Sequence, residues 1–291
     1  MKGCGTALVT PFDSQGALDL DAYRRLIEWQ IESGIDFLVP CGTTGESVTL
    51  SGQEYRQVVR TCVETSEGAV PVVAGAGSNN TVHALELARM VEDQGADAIL
   101  SVAPYYNKPT QEGMKRHFRS LLEAISIPVV LYNVPGRTSS NLQPQTVLEL
   151  ARDERVTAVK EASGNLGQIQ EIVKGAPATL SVLSGDDALT LAILALGGQG
   201  VISVASNVIP AEMTRLTTLA SDSRLEAARE IHYRYLALMN LNFVESSPSP
   251  VKYALSRMGM IEPFVRLPLV PLTPASQKLF DNLLHDLGLV E

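Results

Sequence analysis

The sequence predicts a (β/α)8 barrel, an α/β fold, followed by a helical C-terminal extension, on three observations. Short apolar runs rich in β-branched residues alternate with longer amphipathic runs, which is how parallel βα units read. Eight such short runs are present, the number that closes a barrel. The chain has 291 residues, 45% of them hydrophobic, enough for one large core with a small appendage and too apolar for disorder.

The strands expected in order are residues 6–9, 36–39, 70–74, 98–102, 129–132, 156–160, 181–183 and 200–203. Between them, Leu20, Tyr23, Ile27 and Ile31 share one helical face before Gly34. Ser51 and Glu54 form an S-x-x-E capping box, and Met114, Phe118, Leu121 and Ile125 repeat the helical spacing. Pro210 stands where a helix would begin, its fixed φ and missing N–H being harmless there. Gly197-Gly198-Gln199-Gly200 reads better as a helix cap than as a binding loop. The alternation stops near Ser223, so the expected division is a catalytic barrel over residues 1–223 and a helical domain over 224–291, interrupted by Ser247-Pro248-Ser249-Pro250. The rival doubly wound sheet would carry G-x-G-x-x-G after an early strand. The nearest match, Gly75-Ala76-Gly77-Ser78-Asn79-Asn80, follows the third strand and lacks the last glycine.

Charge and cysteine content exclude several functions. A net charge of −9, from 23 Lys+Arg against 32 Asp+Glu, argues against a nucleic-acid partner, which requires a basic surface. Cys4, Cys41 and Cys62 form neither a disulfide framework nor a zinc knuckle, so a reducing, cytoplasmic setting is expected. The N-terminus meets Pro11 and Asp13 before a signal core could form, and the longest apolar stretch, residues 188–196, falls far short of a bilayer span, so no membrane partner is expected. His83, His117, His232 and His285 are scattered, and His83 with Glu86 lacks a second pair, so no metal site is expected. Neither a Walker loop nor a G-x-S-x-G elbow occurs.

In a parallel barrel the reacting groups sit at the C-terminal ends of the strands. Lys160 ends the apolar run of Val156, Ala158 and Val159. Burial there disfavours the ammonium and frees an amine to attack a carbonyl; the alternatives are a lysine paired with Glu161 or Asp186, or one that holds a phosphate. Tyr132 ends the preceding strand and is either a proton shuttle in the same mouth or a core tyrosine. Arg137, after Pro135-Gly136, suits a substrate carboxylate or a surface ion pair. Thr43-Thr44 between Gly42 and Gly45 offers hydroxyls and backbone N–H groups as an anion cradle, or is simply a tight βα turn.

At these clusters the chain strongly resembles the dihydrodipicolinate synthase family of class I, pyruvate-dependent aldolases and lyases. The resemblance rests on Thr6-Ala7-Leu8-Val9-Thr10-Pro11-Phe12, GTTGE at Gly42, PYYNKP at Pro104, YNVPGRT at Tyr132, KEASGN at Lys160, SGDD at Ser184, Pro250-Val251-Lys252 and Arg266-Leu267-Pro268. It implies condensation of pyruvate with L-aspartate 4-semialdehyde, in lysine and diaminopimelate biosynthesis, through an imine on Lys160 and without a cofactor. It further implies a relay of Tyr132, Thr43 and Tyr106, with Thr44 on the pyruvate carboxylate, Gly185 and Ile202 lining its pocket, and Arg137 on the second substrate's carboxylate. The residue matching Tyr106 reaches in from a neighbouring subunit, so a homotetramer of tight dimers is implied. Arg137 favours this reading over the sugar-acid aldolases that share the lysine and tyrosine. A noncatalytic barrel that binds a small acid is the alternative from another class. Tyr105, Asn79 and Ser47 match the family's lysine-feedback pocket, but Tyr55, His83 and Gly52 depart from it, so weak or absent inhibition by lysine is expected.

Overall fold

A computed structural model describes residues 1–291. Eight parallel strands, β1 (Gly3–Ala7), β2 (Phe37–Val39), β3 (Val73–Gly75), β4 (Ala98–Val102), β5 (Val129–Asn133), β6 (Val156–Glu161), β7 (Ser181–Ser184) and β8 (Gly200–Ser203), pair in the order β2-β1-β8-β7-β6-β5-β4-β3. The remaining seam is joined where the Leu38 N–H donates to the Pro71 carbonyl and the Gly75 N–H to the Pro40 carbonyl, each at 2.9 Å, with Leu38 bridging Val72. The fold is therefore the (β/α)8 barrel that the alternation predicts.

Helices α1 (Leu20–Glu32), α2 (Gly52–Ser66), α3 (Thr81–Asp93), α4 (Gln111–Ala124), α5 (Pro135–Thr138), α6 (Pro144–Leu150), α7 (Leu166–Gly175), α8 (Thr190–Ala195) and α9 (Pro210–Ser221) follow the strands. Beyond them come α10 (Leu225–Leu241), α11 (Ser249–Arg257) and α12 (Pro274–Asp286). The capping box forms as expected, with the Glu54 N–H donating to Ser51 Oγ and the Ser51 N–H to Glu54 Oε2. Pro210 is the first residue of α9. The 197–200 glycine run begins as a cap: Gly198 N–H reaches the Ile193 carbonyl and Gly197 N–H the Leu194 carbonyl, the paired bonds that close a helix end.

Two strands, β1 and β3, start three residues away from the sequence reading, and the boundaries of the other six agree to within one residue. β1 starts at Gly3 instead of Thr6, because a Cβ on Gly5 would stand 2.0 Å from the Phe37 ring. Glycine in this strand marks close approach to its neighbour, which β-propensity counts as a break. β3 starts later, at Val73, since Pro71 has no N–H to give the ladder. Pro135-Gly136, just ahead of Arg137, opens the one-turn helix α5.

Alternation along the strands divides the core into two layers. Phe37, Val39, Val73, Leu100, Val130, Ala158, Leu183 and Ile202 fill the barrel, while Leu38, Ile99, Val129, Leu131, Val159, Val182 and Val201 face the helices. Buried side chains of the extension, including Leu238, Val251, Leu255 and Phe280, continue that outer layer. No helix is long and apolar enough to cross a membrane.

Candidate active site

The phase of β6 decides where Lys160 points. A bulge lets Val129 pair with Val156 and Val130 with Ala158, skipping Thr157. With a side-chain period of two, Ala158 and Lys160 then face into the barrel, and Val159 and Glu161 face out. Lys160 stands in register between Tyr132 on β5 and Leu183 on β7, and its Nζ lies 4.4 Å from the centroid of the Tyr132 ring.

Lys160 is buried and makes no ion pair with either carboxylate weighed above. Glu161, on the outer face, accepts from Asn133 Nδ2, Gln168 Nε2 and the Ser163 N–H, and burial pushes its carboxyl upward. Asp186 Oδ1 accepts the Ala188 N–H as a local cap. Burial pulls the Lys160 ammonium down to about 8; the field of Asp187 opposes this and that of Arg137 adds to it. Asp187 itself is fixed behind the site by the N–H groups of Val204 and Ala205, at 3.0 and 2.8 Å, and burial raises its pKa.

Lys160 opens on a cavity of about 160 Å³ whose wall includes Thr43, Thr44, Tyr132, Arg137 and Gly185. These five come from the loops or strand ends of β2, β5 and β7, separated in sequence and gathered by barrel closure. Gly185 is required by close approach: a Cβ there would lie 2.7 Å from the Ala162 Cβ and 3.0 Å from the Lys160 Cε. Burial raises the Tyr132 phenol, against the opposing pulls of Arg137 and the Thr43 hydroxyl. Ile202 fills the barrel interior and does not border this cavity. Tyr106 borders neither cavity described here; it is 86% exposed with φ +70°, an uncommon backbone state for a tyrosine.

A larger cavity of about 500 Å³ shares Thr43, Tyr132, Val134 and Arg137 with the first. Ser47, Gly52, Tyr55, His83 and Tyr105 line it, whereas Asn79 does not. The Tyr55 hydroxyl is committed to the Gly75 carbonyl at 2.5 Å, and His83 meets Glu86 at 3.3 Å across an exposed turn of α3.

Sequence reasoning did not place Phe243 and Ser247 on the wall of the Lys160 cavity. Both belong to the connection between α10 and α11, about 80 residues beyond Lys160, and no local pattern marks them. Asp187, the second acid of SGDD, is the buried carboxylate whose field reaches Lys160, a role that the motif alone does not distinguish from that of Asp186.

A buried lysine with a depressed pKa, facing a tyrosine and a cradle of hydroxyls at the C-terminal mouth of a barrel, defines the class of imine-forming (β/α)8 lyases and aldolases. The model of the dihydrodipicolinate synthetase family matches residues 1–287, and the chain belongs to that family. It is 53% identical to the 4-hydroxy-tetrahydrodipicolinate synthase of Koribacter versatilis over 100% of this chain and 97% of the relative. The crystal structure of the Thermotoga maritima dihydrodipicolinate synthase superposes with a TM-score of 0.98 at 44% identity, covering 100% of this chain and 99% of that one. That of the Acinetobacter baumannii enzyme, complexed with pyruvate, gives 0.97 at 38%, covering 99% of each.

Proposed function

We propose that this protein condenses pyruvate with L-aspartate 4-semialdehyde to give 4-hydroxy-tetrahydrodipicolinate, the step its family relatives are named for, and so serves lysine and diaminopimelate biosynthesis. The observation that carries this reading is Lys160: an amine buried at a strand end, unpaired, its pKa brought down to about 8. At neutral pH an ordinary lysine is almost wholly protonated, whereas this one supplies a useful fraction of free amine.

The reaction proceeds without a cofactor. The Lys160 Nζ adds to the keto carbon of pyruvate, and loss of water leaves a protonated imine that acidifies the methyl group. Removal of a methyl proton gives the enamine, whose terminal carbon bonds to the aldehyde carbon while the aldehyde oxygen takes a proton. The amino nitrogen of the adduct then attacks the imine carbon, closing the ring as the bond to Nζ breaks and Lys160 returns as an amine. Tyr132, Thr43 and Tyr106 move the protons. Thr44 holds the pyruvate carboxylate, with Gly185 shaping the pocket, and Arg137 takes the carboxylate of the semialdehyde.

The exposure and positive φ of Tyr106 support its delivery into a neighbouring subunit, hence a homotetramer of tight dimers working in the cytoplasm. In this reading residues 1–223 form the catalytic barrel and 224–291 the helical domain. Steady-state assay with pyruvate and either the semialdehyde or a sugar-derived aldehyde tests the activity. Turnover of the semialdehyde alone is expected; preference for the sugar aldehyde, or no turnover of either, would replace the reading by an aldolase or a noncatalytic barrel.

A further inference from the structure

The Lys160 site does not use the most deeply buried ion pair in the molecule. Lys252 Nζ on α11 meets Glu46 Oε1 at 2.5 Å, with the two side chains 0% and 1% exposed. The other Glu46 oxygen accepts the Arg266 N–H at 3.0 Å. Phe12 lies beneath both cations, its ring centroid 4.3 Å from Lys252 Nζ and 4.2 Å from the Arg266 guanidinium. Arg266 continues outward to the carbonyls of Gly16 and Thr49 and to Glu54.

Burying such a pair gains little stability over a well-packed apolar pair of the same volume, because desolvating two charges offsets their attraction. What this pair does is fix a position. Glu46 closes the loop that carries Thr43 and Thr44: its N–H donates to the Thr43 carbonyl at 3.1 Å, and its own backbone is held at φ 52°. The opposite side of the loop is tied by Thr10 Oγ1, which donates to the Gly45 carbonyl at 2.7 Å. The loop thus stands between the barrel's first strand connection and the C-terminal extension, with its charged anchor on the extension.

We propose that Glu46, Lys252 and Arg266 are positioning residues for the reaction, a clamp by which the C-terminal extension sets the threonine loop against Lys160. The inference rests on the function proposed above, since it assigns the clamped loop to pyruvate binding and proton transfer. Displacing reacting groups by about 1 Å can lower rates by up to ~100-fold. Lys160 itself sits on β6, outside the clamped loop, so imine formation persists without the clamp while its efficiency falls.

The test compares wild type with the E46Q/K252M double variant, which removes both charges together, and with Arg266→Lys, a milder change at a partly exposed side chain. Pyruvate KM, kcat, borohydride trapping of pyruvate, thermal midpoint and amide exchange of residues 42–50 are measured for each. The clamp predicts a pyruvate KM raised or a kcat lowered by about tenfold or more in the double variant. Faster exchange across 42–50, a retained thermal midpoint and trapping still complete at saturating pyruvate accompany it, and Arg266→Lys moves the same way by less. Unchanged kinetics in a folded double variant would overturn the proposal. If that variant does not fold, unchanged kinetics and exchange in Arg266→Lys overturn it instead. Failure of wild type itself to trap pyruvate would refute the functional reading, a result separate from failure of the clamp.

Discussion

Replacing Lys160 by methionine should stabilise the protein at neutral pH while removing its reactive amine. Methionine keeps most of the stem that packs beside Gly185 and discards the buried charge. The fall of the Lys160 pKa from 10.5 to about 8 corresponds, at 1.36 kcal/mol per pKa unit, to roughly 3 kcal/mol against the charged form in the folded state. That figure is an upper bound, and a gain of about 1–3 kcal/mol is expected at pH 7. The pH dependence carries the sign. Between about 8 and 10.5 the unfolded chain holds a proton on Lys160 that the folded chain has released, so wild-type stability rises with pH across that window relative to the variant. Below about 8 the full penalty is present, and above 10.5 it is gone. Urea unfolding of both proteins at equal concentration, at pH 7 and pH 10, measures it. A Lys160→Met protein less stable than wild type at pH 7, or a difference that does not shrink with rising pH, would refute the reasoning.

Three further outcomes follow from the geometry. Gly185→Ala places a methyl 2.7 Å from the Ala162 Cβ and 3.0 Å from the Lys160 Cε; it should destabilise by about 1–3 kcal/mol and slow imine formation, and normal trapping rates would contradict the close approach. Arg137→Ala should weaken use of the semialdehyde far more than imine formation with pyruvate, and an equal fall in both, read by steady-state rates beside borohydride trapping, would sink that role. Lysine at sub-millimolar concentration should leave the rate nearly unchanged, because His83 is turned to Glu86 and the Tyr55 hydroxyl is committed to Gly75; a clear drop would show that the larger cavity still accepts it.

Most of the site was legible in the sequence because barrel topology turns position into chemistry. Lys160, Tyr132 and the Thr43-Thr44 pair each follow or end an apolar run, and parallel closure brings such ends to one mouth. The inward phase of Lys160 was not strictly given by the run, since it depends on the bulge at Thr157, which only the pairing register reveals. Gly3 and Gly5 hid the start of β1 because their reason lies across the sheet, in Asp36 and Phe37. The cavity wall supplied by Phe243 and Ser247, and the clamp of Lys252 on Glu46, join residues that lie 80 to 206 apart in sequence or nearly so. No local pattern encodes contacts of that range, which arise only when the extension packs on the barrel.

Every later step depends on the imine between Lys160 and pyruvate. Intact-mass measurement after incubation with pyruvate and borohydride tests it most directly. Wild type should gain the mass of one reduced pyruvate adduct per chain, on a peptide containing Lys160, and Lys160→Ala should gain none. An unmodified wild type, or an adduct that persists in Lys160→Ala, would contradict the account.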